Sequence, residues 1–201
     1  MKSLPNRIVL ATRNRGKVKE ISDLVADLPV ELLSAPLARA LYPLPFWSLI
    51  QQEAGQAGID PLLLSSLIRE ESRFDPTALS PASARGLTQF ILPTALRVAS
   101  EAGLPLSAAE DLYRPEIAIA LGALHLKELH TLLPTPMSRI AAYNAGDHQA
   151  GLWLRHCGTT DPGEYFSKIG FSETRQYVAR VLASHHAYLS LYSSGDGSDG
   201  D

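Results

Sequence analysis

From about residue 38 to residue 193 the chain is punctuated by helix starts and stops rather than by strand signals. Apolar residues recur at the roughly 3.6-residue helical period, and proline heads one segment after another. Phe46, Leu49, Ile50, Ala54 and Ala57 make one stripe, ending at Gly58. Asp60-Pro61 pairs a capping residue with one suited to the first helical position, and predicts a helix to about Ser72. Pro93 opens another, with Leu96 and Ala99 facing one way. Pro115 opens a longer one through Leu121, Leu124 and His125 toward Leu132. Residues 138–143 form a short segment rich in small side chains. Ser172 is placed to cap a last helix carrying Tyr177, Val178, Val181, Leu182 and Tyr188. Residues 75–89 instead read as a long loop interrupted by proline, serine and glycine, and such loops often carry function. A chain patterned this way buries its stripes helix against helix, so the fold class is mainly α.

The bulk properties narrow the field. The 201 residues leave room for one domain and a short extra segment, and an apolar content of 45% supports a real core. The net charge of −3 gives no field toward nucleic acid or an anionic membrane, so neither is an expected partner. No apolar run reaches the roughly 18 residues of a membrane span. The apolar stretch Ile8-Val-Leu-Ala11 is too short for the core of a secretory signal, so as written the chain reads as cytoplasmic. Cys157 is the single cysteine, which excludes an internal disulfide. Residues 193–201 are an acidic Ser/Gly tail with nothing to bury.

One residue in the helix after Asp60 breaks the pattern. Leu63, Leu64, Leu67 and Ile68 define an apolar face, with Glu71 near its centre, Glu70 at its edge and Arg69 pointing away. A carboxylate on such a face is disfavoured as an anion, and a helix C-terminus disfavours it further. Both effects raise its pKa toward the protonated state that a general acid needs near neutral pH. A glutamate at a frayed helix end that curls into solvent fits the same spacing, and spacing alone favours that blander reading.

Three ordered motifs shift the balance. Glu71-Ser-Arg-Phe-Asp-Pro76 leads into Ser80-Pro-Ala-Ser-Ala-Arg-Gly-Leu-Thr-Gln89-Phe-Ile-Leu-Pro-Thr-Ala95; then come Ala141-Ala-Tyr-Asn-Ala-Gly146 and Phe171-Ser-Glu-Thr-Arg-Gln-Tyr-Val178. Together these blocks resemble the catalytic domain of the soluble lytic transglycosylases, a family with a helical, goose-lysozyme-like fold. The resemblance covers roughly residues 40–192. It implies that Glu71 is the catalytic acid and base. Ser80 matches a loop serine near that acid and the substrate's acetamido group, and Gln89 a cleft residue that bonds substrate. Tyr143 matches a tyrosine facing the catalytic carboxyl, Asn144 its neighbour in the motif, and Glu173 a second acidic residue lining the cleft. Each also has a structural reading. Ser80 would cap a turn, and Gln89 and Asn144 would satisfy backbone groups. Tyr143 would be a core aromatic, and Glu173 would favour its helix N-terminus or pair with Arg175. Ser83, Thr88 and Gly170 depart from the usual glycine, methionine and proline. Ser83 would cost stability if its site needs positive φ, and Thr88 would change one cleft wall from apolar to polar.

The resemblance implies cleavage of the β-1,4 bond between N-acetylmuramic acid and N-acetylglucosamine in peptidoglycan glycan strands. Glu71 protonates the glycosidic oxygen, the substrate's acetamido group stabilises the developing charge, and Glu71 then draws a proton from the muramic C6 hydroxyl, leaving a 1,6-anhydro end. No cofactor or metal is called for, and the six histidines show no ligand spacing; His185-His186 reads as solvated surface. The family implies the periplasm or cell envelope, against the absence of a visible signal segment. A weakly active peptidoglycan-binding module and a hydrolytic muramidase are the competing readings.

Residues 1–37 read separately, as a short β-α-β fragment with strands near 7–11 and 30–33 and a helix over 17–26. The run from Arg7 to Ile21 resembles the opening of the non-canonical purine nucleoside triphosphate diphosphatases, in which the residues at Thr12, Asn14 and Lys17 contact phosphate. The acidic residues such a reaction needs do not follow, so this piece is expected to be an orphaned fragment ahead of a catalytic domain at 38–193.

Overall fold

The computed structural model describes residues 6–10, 16, 19, 30–157 and 161–193. The chain divides into two compact units, Pro45–His185 and a smaller one of Met1–Leu44 with His186–Asp201.

In the smaller unit, β1 (Asn6–Leu10) and β2 (Val30–Ser34) pair in parallel, Asn6 opposite Val30 and Leu10 opposite Ser34. Helix α1 (Ala35–Leu41) follows β2 directly, where no helix is predicted. Ala38 of α1 packs against Leu191, and the hydroxyls of Tyr188 and Tyr192 donate to the carbonyls of Pro43 and Tyr42 at 2.9 and 2.7 Å. The expected helix over 17–26 and the phosphate-contact positions Thr12, Asn14 and Lys17 lie outside the described residues, Lys19 excepted.

The larger unit is helical. It contains α2 (Trp47–Ala57), α3 (Pro61–Ser72), α4 (Leu92–Ala102), a 3-10 turn (Ala109–Tyr113), α5 (Pro115–Leu132), α6 (Pro136–Ala145), α7 (Asp147–Cys157), α8 (Pro162–Lys168) and the start of α9 (Ser172–Tyr192). Helix α5 is the hub, packing against α2, α3, α4, α6 and the 3-10 turn. Its residues from Ile117 to Ala123 are all buried, as a helix apolar on every side must be. Small residues on α5 let neighbours approach: a Cβ on Gly122 would lie 2.7 Å from Thr88 Cγ2. Phe90, Ala95, Val98, Ala99 and Leu112 close over Ile117 and Leu121 to form one core cluster.

The proline signals locate the helix starts well. Asp60 caps α3 by accepting the Leu62 N–H at 2.8 Å, with Pro61 at the first position, and α5 begins at Pro115. Several finer assignments differ. Phe46 lies ahead of α2 with φ 58° and is exposed, so the buried stripe is Ile50, Ala54 and Ala57. Leu96 is exposed, and α4 buries Ala95, Val98 and Ala99 instead. Helix α3 is buried almost all round rather than on one face. Ser65 and Ser66 are inaccessible because each hydroxyl donates to the carbonyl four residues back, at 2.9 and 2.7 Å, which makes a polar side chain tolerable in the core. Ser172 is the first residue of α9 rather than its cap. His185 is bound to Asp60, Nε2 to Oδ2 at 2.6 Å, and is not simply solvated.

The loop predicted over residues 75–89 spans 73–91, pinned by isolated antiparallel bridges Leu79–Arg85 and Arg85–Phe90. Five of its residues have positive φ: Arg73, Phe74, Ser83, Gly86 and Gln89. Ser83, at φ 63°, therefore carries a left-handed strain of about 1 kcal/mol that glycine would not. Gly86 has no such latitude. At φ 71° a Cβ would sit 1.9 Å from the Leu112 carbonyl oxygen, a backbone atom that cannot turn aside. Gly86→Ala is therefore expected to cost more than about 3 kcal/mol, read as a large fall in the midpoint of thermal unfolding by circular dichroism. A midpoint within a few degrees of the parent would show that the loop relaxes around the new methyl group.

Candidate active site

Helix α3 delivers two glutamates at its C-terminal end, where Arg73 closes the helix in a left-handed conformation. Glu70 is paired: Arg180 Nε donates to its Oε2 at 2.9 Å and Ser184 Oγ to its Oε1 at 3.1 Å, with the Glu70 side chain 5% exposed. Among the described residues no cation pairs with Glu71. The hydroxyl of Tyr177 donates to its Oε1 at 2.6 Å. Burial pushes the Glu71 carboxyl up to about 7 from an ordinary 4.5; the Tyr177 bond works against that shift, and the neighbouring Glu70 charge adds to it. The bond to Oε1 leaves Oε2 as the oxygen to carry a transferable proton.

The remaining motif residues take distinct places. Ser80 Oγ accepts the Ala84 N–H at 3.0 Å, closing the turn that contains Pro81. Gln89 lies at φ 50°, with Nε2 donating to the Gly86 and Ala78 carbonyls at 2.9 and 3.3 Å. Tyr143 donates its hydroxyl to the Thr88 carbonyl at 3.2 Å, and burial together with the Glu71 charge holds its phenol protonated. Asn144 Oδ1 accepts from the buried Thr174 hydroxyl at 2.7 Å, tying the end of α6 to the first turn of α9. Glu173 is exposed in that turn; Arg175 is turned away from it and donates to the Ile169 carbonyl. Thr88 differs from expectation. The residue lines the neighbouring cavity, but its hydroxyl donates to the Ala118 carbonyl of α5 at 2.8 Å, so its polar group is already engaged.

A cavity of about 450 Å³ opens here, lined among others by Gln89, Thr94, His125, Tyr143, Asn144 and Asp147. Glu71 is not on its wall; Tyr143 is both on the wall and in the field of the Glu71 carboxyl. Tyr177 is the neighbour of Glu71 that the sequence pattern hides. It reads as one apolar position of a long helix, and only its place in the third motif, one turn beyond Glu173 and Thr174, hints that its hydroxyl has a task. Among the described residues no group of three or more His, Cys, Asp or Glu side chains is arranged to hold a metal ion, and no helix is long and apolar enough to cross a membrane.

The larger unit thus combines a helix-end glutamate of raised pKa, held under a tyrosine, with a cavity walled by loop and helix. The chain belongs to the family described as Transglycosylase SLT domain, which matches residues 48–166, more than half of it. It is 41% identical over 128 residues to a Haemophilus influenzae protein named provisionally as a soluble lytic murein transglycosylase, covering 63% of this chain and 22% of that protein. It is 32% identical over 160 residues to the soluble lytic murein transglycosylase of Escherichia coli K12, covering 77% of this chain and 24% of that protein. The fold is shared with the 70 kDa soluble lytic transglycosylase of Escherichia coli, with a TM-score of 0.73 at 30% identity over 79% of this chain and 26% of that one. An inactive variant of the Pseudomonas aeruginosa lytic transglycosylase gives a TM-score of 0.72 at 29% identity, covering 78% and 26%. The chain thus spans about a quarter of the length of these relatives.

The raised carboxyl has a consequence for stability. Because Glu71 binds its proton more tightly folded than unfolded, its contribution is fully present below about pH 4.5 and is lost as pH rises through about 7. The full shift corresponds to at most about 3 kcal/mol. Glu71→Gln, which cannot ionise, is expected to raise the melting temperature relative to the parent at pH 8 and to do so less at pH 5. Equal differences at the two pH values would mean that Glu71 titrates as an ordinary exposed carboxyl.

Proposed function

We propose that the larger unit is the catalytic domain of a peptidoglycan lytic transglycosylase, with Glu71 as its acid and base. The observation that carries this reading is the setting of Glu71: half-buried, with no cation beside it among the described residues, bound through one oxygen to Tyr177, and with its carboxyl pushed up to about 7 by burial. At neutral pH such a group is present in both protonation states, and the reaction needs each in turn.

In the first step Glu71 Oε2 delivers its proton to the glycosidic oxygen between N-acetylmuramic acid and N-acetylglucosamine. The bond to the muramic anomeric carbon breaks, and the acetamido oxygen of the same sugar supports the positive charge that develops there. Glu71, now a carboxylate stabilised by the Tyr177 hydroxyl, accepts the proton of the muramic C6 hydroxyl as that oxygen closes on the anomeric carbon. The nucleophile belongs to the substrate, so no second protein carboxylate is needed at the reacting centre. Tyr143, on the cavity wall and in the field of Glu71, is assigned to hold the reacting sugar in the geometry of the transition state, Gln89 to hold the glycan, and Ser80 to the acetamido side. Glu173 is assigned to an outer contact with the glycan, and Asn144 shapes the wall through its bond to Thr174. The inactive Pseudomonas aeruginosa variant is a glutamate-to-glutamine change, which agrees with a reaction that rests on one carboxyl. A substrate of this kind places the work of the domain in the cell envelope.

The test is mass spectrometry of peptidoglycan digested by the parent and by Glu71→Gln. Parent products should be one water lighter than hydrolysed muropeptides, and the variant should release them at least about 10²-fold more slowly. Parent products of full hydrolysed mass would make the enzyme a muramidase, and a variant within about tenfold of the parent would remove Glu71 from the chemistry.

A further inference from the structure

We propose that His125 is a positioning residue for Tyr143, held in its own orientation by Glu128 and Arg97. The inference deepens the proposed function and rests on it.

The Tyr143 hydroxyl makes a 3.2 Å bond to the Thr88 carbonyl, long for an O–H···O contact, so that bond is a weak lock on the ring. The ring is set by its neighbours. Phe90 meets it edge-on with centroids 6.1 Å apart, and His125 lies against it at 5.4 Å and 50°. His125 also meets Phe90 edge-on at 5.7 Å, so the three rings form one cluster over the core. Phe90 is an ordinary core side chain. An imidazole in the same cluster needs a partner for its polar atoms, since burying an unpaired polar group is costly.

That partner is unusually well fixed. His125 Nδ1 lies 2.9 Å from Glu128 Oε2, and Arg97 grips the same carboxylate with two nitrogens, Nη1 to Oε1 at 2.6 Å and Nη2 to Oε2 at 3.0 Å. Arg97 Nη1 also reaches Glu101 at 3.2 Å on its own helix. The two-pronged cation holds Glu128 ionised and acceptor-only, which selects the Nδ1–H tautomer of His125. Burial keeps the imidazole neutral. The chain of contacts runs from α4 through α5 to α6, and Arg97, His125 and Tyr143 all line the cavity. Packing alone does not call for this. An apolar residue would fill the site between Phe90 and Tyr143 without a carboxylate and a guanidinium to orient it. The arrangement gives the Tyr143 ring one preferred pose, and with it a fixed place for the hydroxyl in the field of Glu71.

The test is a double-mutant cycle on the full chain, reading steady-state release of anhydro-muropeptides from isolated glycan strands. His125→Ala should lower kcat about tenfold with KM within about twofold, whereas the same change in a Tyr143→Phe background should lower kcat less than about twofold, because the hydroxyl it positions is gone. Equal losses in both backgrounds, or a loss confined to KM, would overturn the inference. Should His125→Ala fail to fold, His125→Phe keeps a ring but cannot bind Glu128. It should lose about threefold in kcat in the parent and nothing in the Tyr143→Phe background, and equal losses would again overturn the proposal. Full turnover by Glu71→Gln, run alongside, would overturn the functional reading and this inference with it, whereas equal losses overturn this inference alone.

Discussion

Two adjacent glutamates at the end of α3 are treated in opposite ways, and the site depends on that difference. Glu70 receives a guanidinium and a hydroxyl from α9, which compensate a carboxylate whose side chain is almost wholly buried. Glu71, one residue on, receives a phenol from the same helix and, among the described residues, no cation. Water is removed from both, but only one is compensated for its charge. The uncompensated group binds a proton near neutral pH, and the ionised neighbour reinforces the effect. Helix α9 supplies all of these partners from one side. Thr174, Tyr177, Arg180, Ser184 and His185 reach in turn to Asn144, Glu71, Glu70, Glu70 and Asp60. The ties that fix α9 along α3 are therefore the ties that tune the acid.

The loop between α3 and α4 carries the rest of the constraint. Ser72, beside Glu71, donates to the Leu87 carbonyl at 2.9 Å, so the end of the acid's helix and the far side of the loop are joined directly. Gly86 allows the loop to pass against the Leu112 carbonyl, and Gly122 allows Thr88 to rest on α5. Five left-handed residues in so short a stretch are strained conformations held by their surroundings, and such strain commonly accumulates where a loop must present groups to a ligand. Gln89 shows both roles in one residue. Its amide nitrogen holds the loop to itself, while the residue stands on the cavity wall.

Much of this was legible in the sequence, for physical reasons that can be named. Asp60-Pro61 and Pro115 state where helices begin because a cap and a missing N–H are local requirements, and the structure places α3 and α5 accordingly. The apolar setting of Glu71 followed from periodicity, although the same periodicity fits a frayed helix end, and only the three motifs together separated the two. Other features were not legible. Leu96 and Phe46 fit an apolar stripe yet face solvent, because burial is decided by which neighbour arrives and not by the stripe. Helices α7 and α8 escaped because Asp147-His-Gln-Ala-Gly has little apolar rhythm, although Asp161-Pro162 carries the same start signal as Asp60-Pro61. The role of Tyr177 was hidden for a deeper reason. Its ring is core and its hydroxyl is site, and a residue that satisfies a packing pattern gives no sign that its polar tip has a distant partner. Thr88 does line the cavity, but nothing in the sequence signals that its hydroxyl is taken up by an acceptor on α5.

The central claim is that burial, not a neighbouring cation, sets the protonation of Glu71. Its most direct test is a carbon-13 NMR titration of the side-chain carboxyls in the parent, with the Glu71 resonance assigned by its loss in Glu71→Gln. The account predicts a midpoint at about 7, well apart from the ordinary glutamates. A midpoint near the ordinary 4.5 would contradict it, because Glu71 would then be a carboxylate at neutral pH with no proton to give.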